Sequence, residues 1–250
     1  MLVYSLKPPF QIESSDYKSL FQNYRYKKMS KIQIRAILFD LDETLLDRKK
    51  SLIAFCIWQA TQWCFSAHQI QHYIERFLIL DANGSVWKDQ VYNQLKKEFE
   101  IKESVEQLLA IYLEHFHEFC VENDGVTQVV KALHEKGYLL GLISNGKSPF
   151  QERNFHHLGL SHYFSVIIIS EAVQLRKPDT AIFHLACEQL KISPNQSVFV
   201  GDNELADVQG ANKAGMFSVF FDKNHTNRTT KASFKISHFS NLINIINYLN

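Results

Sequence analysis

Five short apolar runs, each separated from the next by a helical pattern, restrict this chain to one broad architecture. The first comprises Ile34, Ala36, Ile37, Leu38 and Phe39, and the others span 138–143, 166–169, 197–200 and 217–221. Apolar runs of this length, bounded by turn residues, read as strands buried on both faces. Strands of that kind belong to parallel sheets, and parallel neighbours are joined by crossover helices. The prediction is an α/β fold: a three-layer α/β/α, Rossmann-like core around a parallel sheet. Gly125 to Glu135 reads as one crossover helix with Gly137 at its end, and Leu242, Ile245, Ile246 and Leu249 as a last helix on the flank.

The alternation is interrupted once. Between Asp47 and about Val121 the pattern is helical throughout, with Ile53, Ile57, Ala60 and Cys64 on one face and Trp87, Val91, Leu95 and Phe99 on another. A third helix opens with Ser104 and Gln107 as a capping box and continues through Val105, Leu108, Leu109, Tyr112, Leu113 and Phe116. Asn83-Gly84 marks a turn. The expected organisation is an amino-terminal extension (1–30), a core (31–47 and 122–250) and an inserted helical cap (48–121). The extension carries Pro8 and Pro9 and no sustained period, and the core pattern begins abruptly at Ile32, so Met29 is a candidate start.

Bulk properties narrow the partners. Twenty-seven basic and 26 acidic residues give a formal charge of +1, which supports neither a nucleic-acid footprint nor a membrane-surface helix. No apolar run approaches a membrane span, and the amino terminus lacks a signal-peptide pattern. The four cysteines form no C-x-x-C pair and sit in apolar helical patterns, as expected of reduced core thiols in a cytoplasmic protein. Oligomeric state is not encoded in any readable pattern.

Ligands of parallel sheets collect beyond the carboxyl ends of the strands. There the sequence delivers Asp40 and Asp42, then Ser144 and Asn145, and finally Gly201 and Asp202 with Asp207 five residues on; Arg176-Lys177-Pro178-Asp179 lies between the third and fourth strands. Each signal alone has an ordinary reading: Asp after a strand makes turns, Lys177 is a solvated charge, and Gly201-Asp202 caps a helix ending at Gly215. Together they describe one crevice. Two carboxylates 4 Å apart repel by about 4 kcal/mol at an effective dielectric of 20. A hard divalent cation such as Mg²⁺ relieves that repulsion.

The motifs carry a family resemblance. D-x-D-x-T at Asp40, Asp42 and Thr44, a Ser after the next core strand at Ser144, Lys177 followed by Pro, and G-D-x-x-x-x-D at Gly201, Asp202 and Asp207 resemble, in order, the four motifs of the haloacid dehalogenase-like (HAD) hydrolases. Most of these are phosphatases. The resemblance covers roughly residues 32–222, and the helical insertion resembles the family's cap between motifs one and two.

It implies that Asp40 is a nucleophile forming an aspartyl-phosphate and Asp42 a general acid and base. Thr44, Ser144, Asn145 and Lys177 would hold the phosphoryl group. Mg²⁺ would lie on Asp40, the Asp42 backbone carbonyl and Asp202, with Asp207 in support. Family members that displace halide lack the second acid, so Asp42 points to phosphate. Glu43 and Ala206 depart from the commoner family residues.

The implied substrate is a small phosphorylated metabolite such as a nucleotide or sugar phosphate. A phosphomutase and a non-catalytic binding protein of the same fold remain alternatives. The Asp81–Tyr92 stretch resembles caps of nucleotide and sugar-phosphate phosphatases. Trp58, Trp63, Trp87 and Tyr92 offer stacking surfaces, although helical spacing assigns them to packing. His68 and His72 are four apart but lack the acid of an H-E-x-x-H motif and read as solvated.

Overall fold

The computed structural model describes residues 33–226 and 229–250. The expected amino-terminal extension and the candidate start at Met29 lie outside them. Six strands form a single parallel sheet: β1 (Ala36–Phe39), β2 (Leu139–Ser144), β3 (Val166–Ile169), β4 (Ser197–Gly201), β5 (Phe217–Phe221) and β6 (Phe234–Ile236). Their order is β3-β2-β1-β4-β5-β6, which places β1 at the centre. The five expected strands are present. The sixth is a three-residue edge strand, too short for an apolar run to announce it.

β1 shows why the core reads as it does. Ile37 and Phe39 enter one hydrophobic cluster, Ala36 and Leu38 the other, and all four are fully buried. A strand flanked by apolar layers on both faces has no position for a polar side chain. Leu38→Ala would cost about 2–5 kcal/mol in lost burial and residual cavity.

The helices between strands are α5 (Val126–Glu135), α6 (Phe150–His157), α7 (Ser170–Val173), α8 (Thr180–Leu190) and α9 (Gly210–Lys213), with α10 (Asn241–Leu249) last. Gly137 follows α5 at φ +82°, a left-handed conformation that ends the helix without a side-chain clash. The helix entering α9 begins with one π-helical segment, Glu204–Gln209, and its cap is Asn203, not Asp202; Asn203 Oδ1 accepts from the Leu205 and Ala206 amides. Asp202 is thereby released from a capping role.

Between β1 and β2 stand α1 (Arg48–Gln62), α2 (Ala67–Asp81), α3 (Lys88–Glu98) and α4 (Val105–His115), which lie over the carboxyl ends of the strands. Ser66 and Gln69 box the start of α2, and Ser104 and Gln107 box α4 as expected. The buried face of α1 differs from the expected one. Ile57 is 44% exposed and Cys64 is exposed, whereas Arg48, Ser51, Leu52, Phe55, Cys56, Gln59 and Ala60 point inward. A hydrophobic count misses this face because three of its members are polar with internal partners. Ser51 Oγ donates to the Asp47 carbonyl at 2.7 Å, and Gln59 Oε1 accepts from Tyr73 and Tyr92 hydroxyls at 2.8 and 3.3 Å. Trp58, Trp63 and Tyr92 pack against neighbouring rings, and His72 lies 3.3 Å from Glu98.

The chain leaves and re-enters the sheet layer through one neck. Leu46 and Glu122 form an antiparallel bridge, the Asp47 amide donates to the Val121 carbonyl and the Asn123 amide to Leu45, both at 2.9 Å. Asn123 Nδ2 adds a bond to the Thr44 carbonyl at 2.8 Å. Beyond the neck, Phe150 of α6 stacks on Tyr112 and Phe116, and one apolar cluster runs unbroken from the sheet into the helical block.

Candidate active site

Strand register sets the level of the site. Phe39 pairs with Leu142 on one side and Val200 on the other, so Asp40, Ser144 and Asp202 leave the sheet within two residues of a common line. The Asp40 amide donates to the Val200 carbonyl at 2.9 Å, which fixes the first acid at the end of the central strand. Gly201 is required beside it. A Cβ there would meet the Asp207 carboxyl carbon at 2.4 Å, so glycine lets that carboxylate come in over β4.

Lys177 lies at the centre, 3% exposed. Its Nζ donates to Asp40 Oδ1 at 2.5 Å and pairs with Asp207 Oδ1 at 2.8 Å. Asp207 Oδ2 accepts from the Asn203 amide at 3.0 Å. Burial opposes the charged lysine, but Asp207 and then Asp40 outweigh it and hold the ammonium's pKa above its ordinary value. The acids are under the opposite stress. Burial pushes Asp40 up to about 7 against the pull of Lys177, with Asp207 and Asp42 adding repulsion. Asp202 is raised well above the usual carboxylate range by burial, then by Asp40 and Asp207.

The carboxylate oxygens of Asp40, Asp202 and Asp207 can all lie within 4.8 Å of one another. Three hard oxygen donors in a buried site with one ammonium leave negative charge uncompensated, and a divalent cation that takes carboxylate and carbonyl oxygens fits that set. The Asp42 side chain is not among the three. It turns to Gln151, whose Nε2 donates to Asp42 Oδ2 at 2.6 Å and to Ser144 Oγ at 3.2 Å. Gln151 is held in turn by Asn154 Nδ2 at 3.1 Å.

Two expected phosphate ligands are placed differently. Thr44 is fully buried, its hydroxyl has no partner among the described residues, and it does not line the crevice. The turn after Asp42 carries it inward beneath the neck. The Asn145 side chain is committed to the Lys177 backbone, with Nδ2 to the carbonyl at 2.8 Å and Oδ1 from the amide at 2.9 Å. It positions Lys177, leaving only its main chain to face a ligand. Glu43 adopts φ 60°, a left-handed conformation where glycine is at ease. Its carboxylate compensates by accepting from the Lys49 amide at 2.9 Å and pairing with Lys223.

The crevice has a volume of about 410 Å³. Its core wall holds Asp40, Asp42, Ser144, Asn145, Lys177, Asp202 and Asp207, and its other wall comes from the helical block. Several lining residues carry no motif in sequence: Gln151, Arg48, Trp87, Lys88, Tyr112 and Phe150. Trp87 is the one tryptophan of the block that reaches the crevice, with Lys147 Nζ 4.0 Å above its ring. The signal that could have found Arg48 and Lys88 is their place at helix starts, where cations oppose the helix dipole and need another reason to be there.

Comparison with known proteins identifies relatives of the chain. N-acetylmuramic acid 6-phosphate phosphatase of Pseudomonas aeruginosa is 28% identical over 191 residues, covering 75% of this chain and 81% of that protein. Phosphoglycolate phosphatase of Escherichia coli O157:H7 is 31% identical over 214 residues, covering 76% and 82%. The crystal structure of a HAD phosphatase from Thermococcus onnurineus superposes with a TM-score of 0.61 at 26% identity, covering 85% of this chain and 98% of that one. The family model described as haloacid dehalogenase-like hydrolase matches residues 37–221, which include all four strand-end signals. The chain belongs to the haloacid dehalogenase-like hydrolases.

Proposed function

We propose that the protein is a Mg²⁺-dependent phosphomonoester hydrolase that acts through an aspartyl-phosphate at Asp40 on a small phosphorylated metabolite. The observation that carries this reading is the convergence of Asp40, Asp42, Ser144, Lys177, Asp202 and Asp207 on one crevice at the carboxyl ends of β1, β2 and β4. Phosphatases among the relatives support the same chemistry. Asp40, Asp202 and Asp207, with the Asp42 main-chain carbonyl, would hold Mg²⁺. When bound, the cation supplies positive charge against the non-bridging phosphoryl oxygens.

The Asp40 carboxylate attacks phosphorus, and the P–O bond to the alcohol breaks as the P–O bond to Asp40 forms. Lys177 holds Asp40 in place and offers its ammonium to the phosphoryl group, together with the Ser144 hydroxyl. Asp42, oriented by Gln151, gives its proton to the departing alkoxide and then takes one from the water that hydrolyses the acyl-phosphate. Closure of the helical block keeps bulk water away during the first step. Four free cysteines, three of them buried, support a reducing cytoplasmic setting.

The test is phosphate release from p-nitrophenyl phosphate. Turnover that requires Mg²⁺ and disappears in Asp40→Asn is expected; turnover that persists in Asp40→Asn, or none with any phosphomonoester, overturns the reading.

A further inference from the structure

The wall opposite the carboxylates contributes no acid to the lining. Its charged members are Arg48, the first residue of α1, and Lys88, the first residue of α3, both less than 10% exposed. Behind them stands Asp81, the last residue of α2. Arg48 grips it bidentately, Nη1 to Oδ2 at 2.8 Å and Nη2 to Oδ1 at 2.9 Å, Lys88 Nζ pairs with Oδ1, and the Gly84 amide donates to Oδ2 at 2.8 Å. Both carboxylate oxygens are thereby filled. Two cations share one directly bonded acid, with Asp42 acting on both from across the crevice, so the direct contacts leave a unit of positive charge on a buried surface.

That surplus points toward the crevice. Arg48 Nε has no hydrogen-bond partner among the described residues, and neither does the Tyr112 hydroxyl on the same wall. Lys88 Nζ lies 5.4 Å from the Tyr112 ring centroid. A cluster that served only to hold helix starts together would be replaced by apolar side chains at little or no cost in stability. Unfilled donors and excess charge on a ligand-facing wall fit an anion instead. The scissile phosphoryl group belongs on the opposite wall, beside Asp40 and Lys177, so the anion read here is a different one.

We propose that Arg48 and Lys88, backed by Asp81, are specificity-determining residues for a second anionic group of the substrate, a carboxylate or another phosphate at the end away from the bond that is cleaved. This rests on the phosphatase reading and names its substrate class. The site selects phosphomonoesters with an anionic tail over those ending in a hydroxyl, and Tyr112 adds a neutral donor.

Matched probes decide it: ω-carboxyalkyl, ω-hydroxyalkyl and ω-phosphoalkyl phosphates of two to five carbons, compared by kcat/KM with Mg²⁺. An anionic tail is expected to exceed the hydroxyl of equal length by at least tenfold at the best length, and the carboxylate and phosphate arms separate the two sources. Lys88→Met should lower that ratio at least fivefold and Lys88→Arg should keep it. A wild-type ratio of one or less at every length with both anions overturns the proposal, as does an unchanged ratio in a Lys88→Met variant that melts like wild type. If Lys88→Met does not fold, the wild-type ratio decides. If neither these probes nor p-nitrophenyl phosphate is hydrolysed, the hydrolase reading fails separately. Calorimetric binding of the same pairs then tests the site, and equal or weaker binding of the anionic tail overturns it.

Discussion

Two buried ion clusters face each other across the crevice and are inversions of one another. On the sheet side one ammonium, Lys177, sits between two carboxylates, Asp40 and Asp207. On the helical side one carboxylate, Asp81, sits between two cations, Arg48 and Lys88. Neither is neutral within itself. The difference teaches that each wall stores charge of the sign its ligand lacks: the sheet side is left short of positive charge and suits a cation, the helical side is left short of negative charge and suits an anion. A closed crevice with both walls neutral would bind neither.

The sharpest way to break this comparison is to remove a flanking acid on the sheet side. Asp40→Asn is expected to lower kcat for a phosphomonoester by about 10³-fold or more while the fold is kept, since it removes one of several mutually repelling carboxylates. Steady-state kinetics beside a melting curve would show both.

Next comes the central member of the other cluster. Asp81→Ala leaves two cations buried without their acid and should destabilise the protein by about 3–5 kcal/mol, read as a lower urea midpoint. Equal stability losses for Asp40→Asn and Asp81→Ala would collapse the distinction between the walls.

The two clusters also predict opposite pH dependences in metal-free protein. Asp40 has a folded pKa raised to about 7 from 3.8, so its contribution favours the fold at acid pH and is lost as pH rises through that interval. Asp81 has a folded pKa below 3.8. Burial opposes that shift, but Arg48 and Lys88 overcome it, so its contribution is present above about pH 4 and is lost as pH falls through its folded value. Urea midpoints from pH 3 to 8 should therefore lose part of their acid sensitivity in Asp81→Asn, with Asp47 and Asp222 keeping the rest, and part of their neutral-side decline in Asp40→Asn, with Asp202 keeping the rest. A smaller effect is expected for Gln151→Leu. It frees Asp42 to reorient and should lower kcat by about 10- to 100-fold with an altered pH profile for kcat, at a cost of about 1–3 kcal/mol in stability because the buried Asn154 amide loses its acceptor.

The sheet-side cluster was legible in sequence and the helical one was not, for a physical reason. A buried strand leaves no alternation to decode, so its end and the acids beyond it stand out, and crossover topology brings distant strand ends to one line. Asp40, Ser144 and Asp202 were readable on that account. Helices of the block present a polar and apolar mixture on the inward face. Arg48 and Gln59 satisfy their polarity through partners 33 and 14 residues away, bonds that no short window of sequence contains, while Ser51 turns back to the Asp47 carbonyl one turn earlier. Thr44 illustrates the converse. Its motif position was clear, but the turn after Asp42 carries its hydroxyl inward, a matter of backbone direction that spacing does not encode.

The neck between Leu46 and Glu122 has a consequence for how such an enzyme diversifies. Because the two ends of the helical block are already stapled side by side, the entropy of closing that loop is met by the core whatever the block contains. Helices can be lengthened or traded between those two anchor points, provided the apolar face that meets the sheet layer is kept. On the proposed reading, a chimaera joined at Asp47 and Val121 that keeps the rings meeting Phe150 is the unit in which to graft a new taste onto an old chemistry.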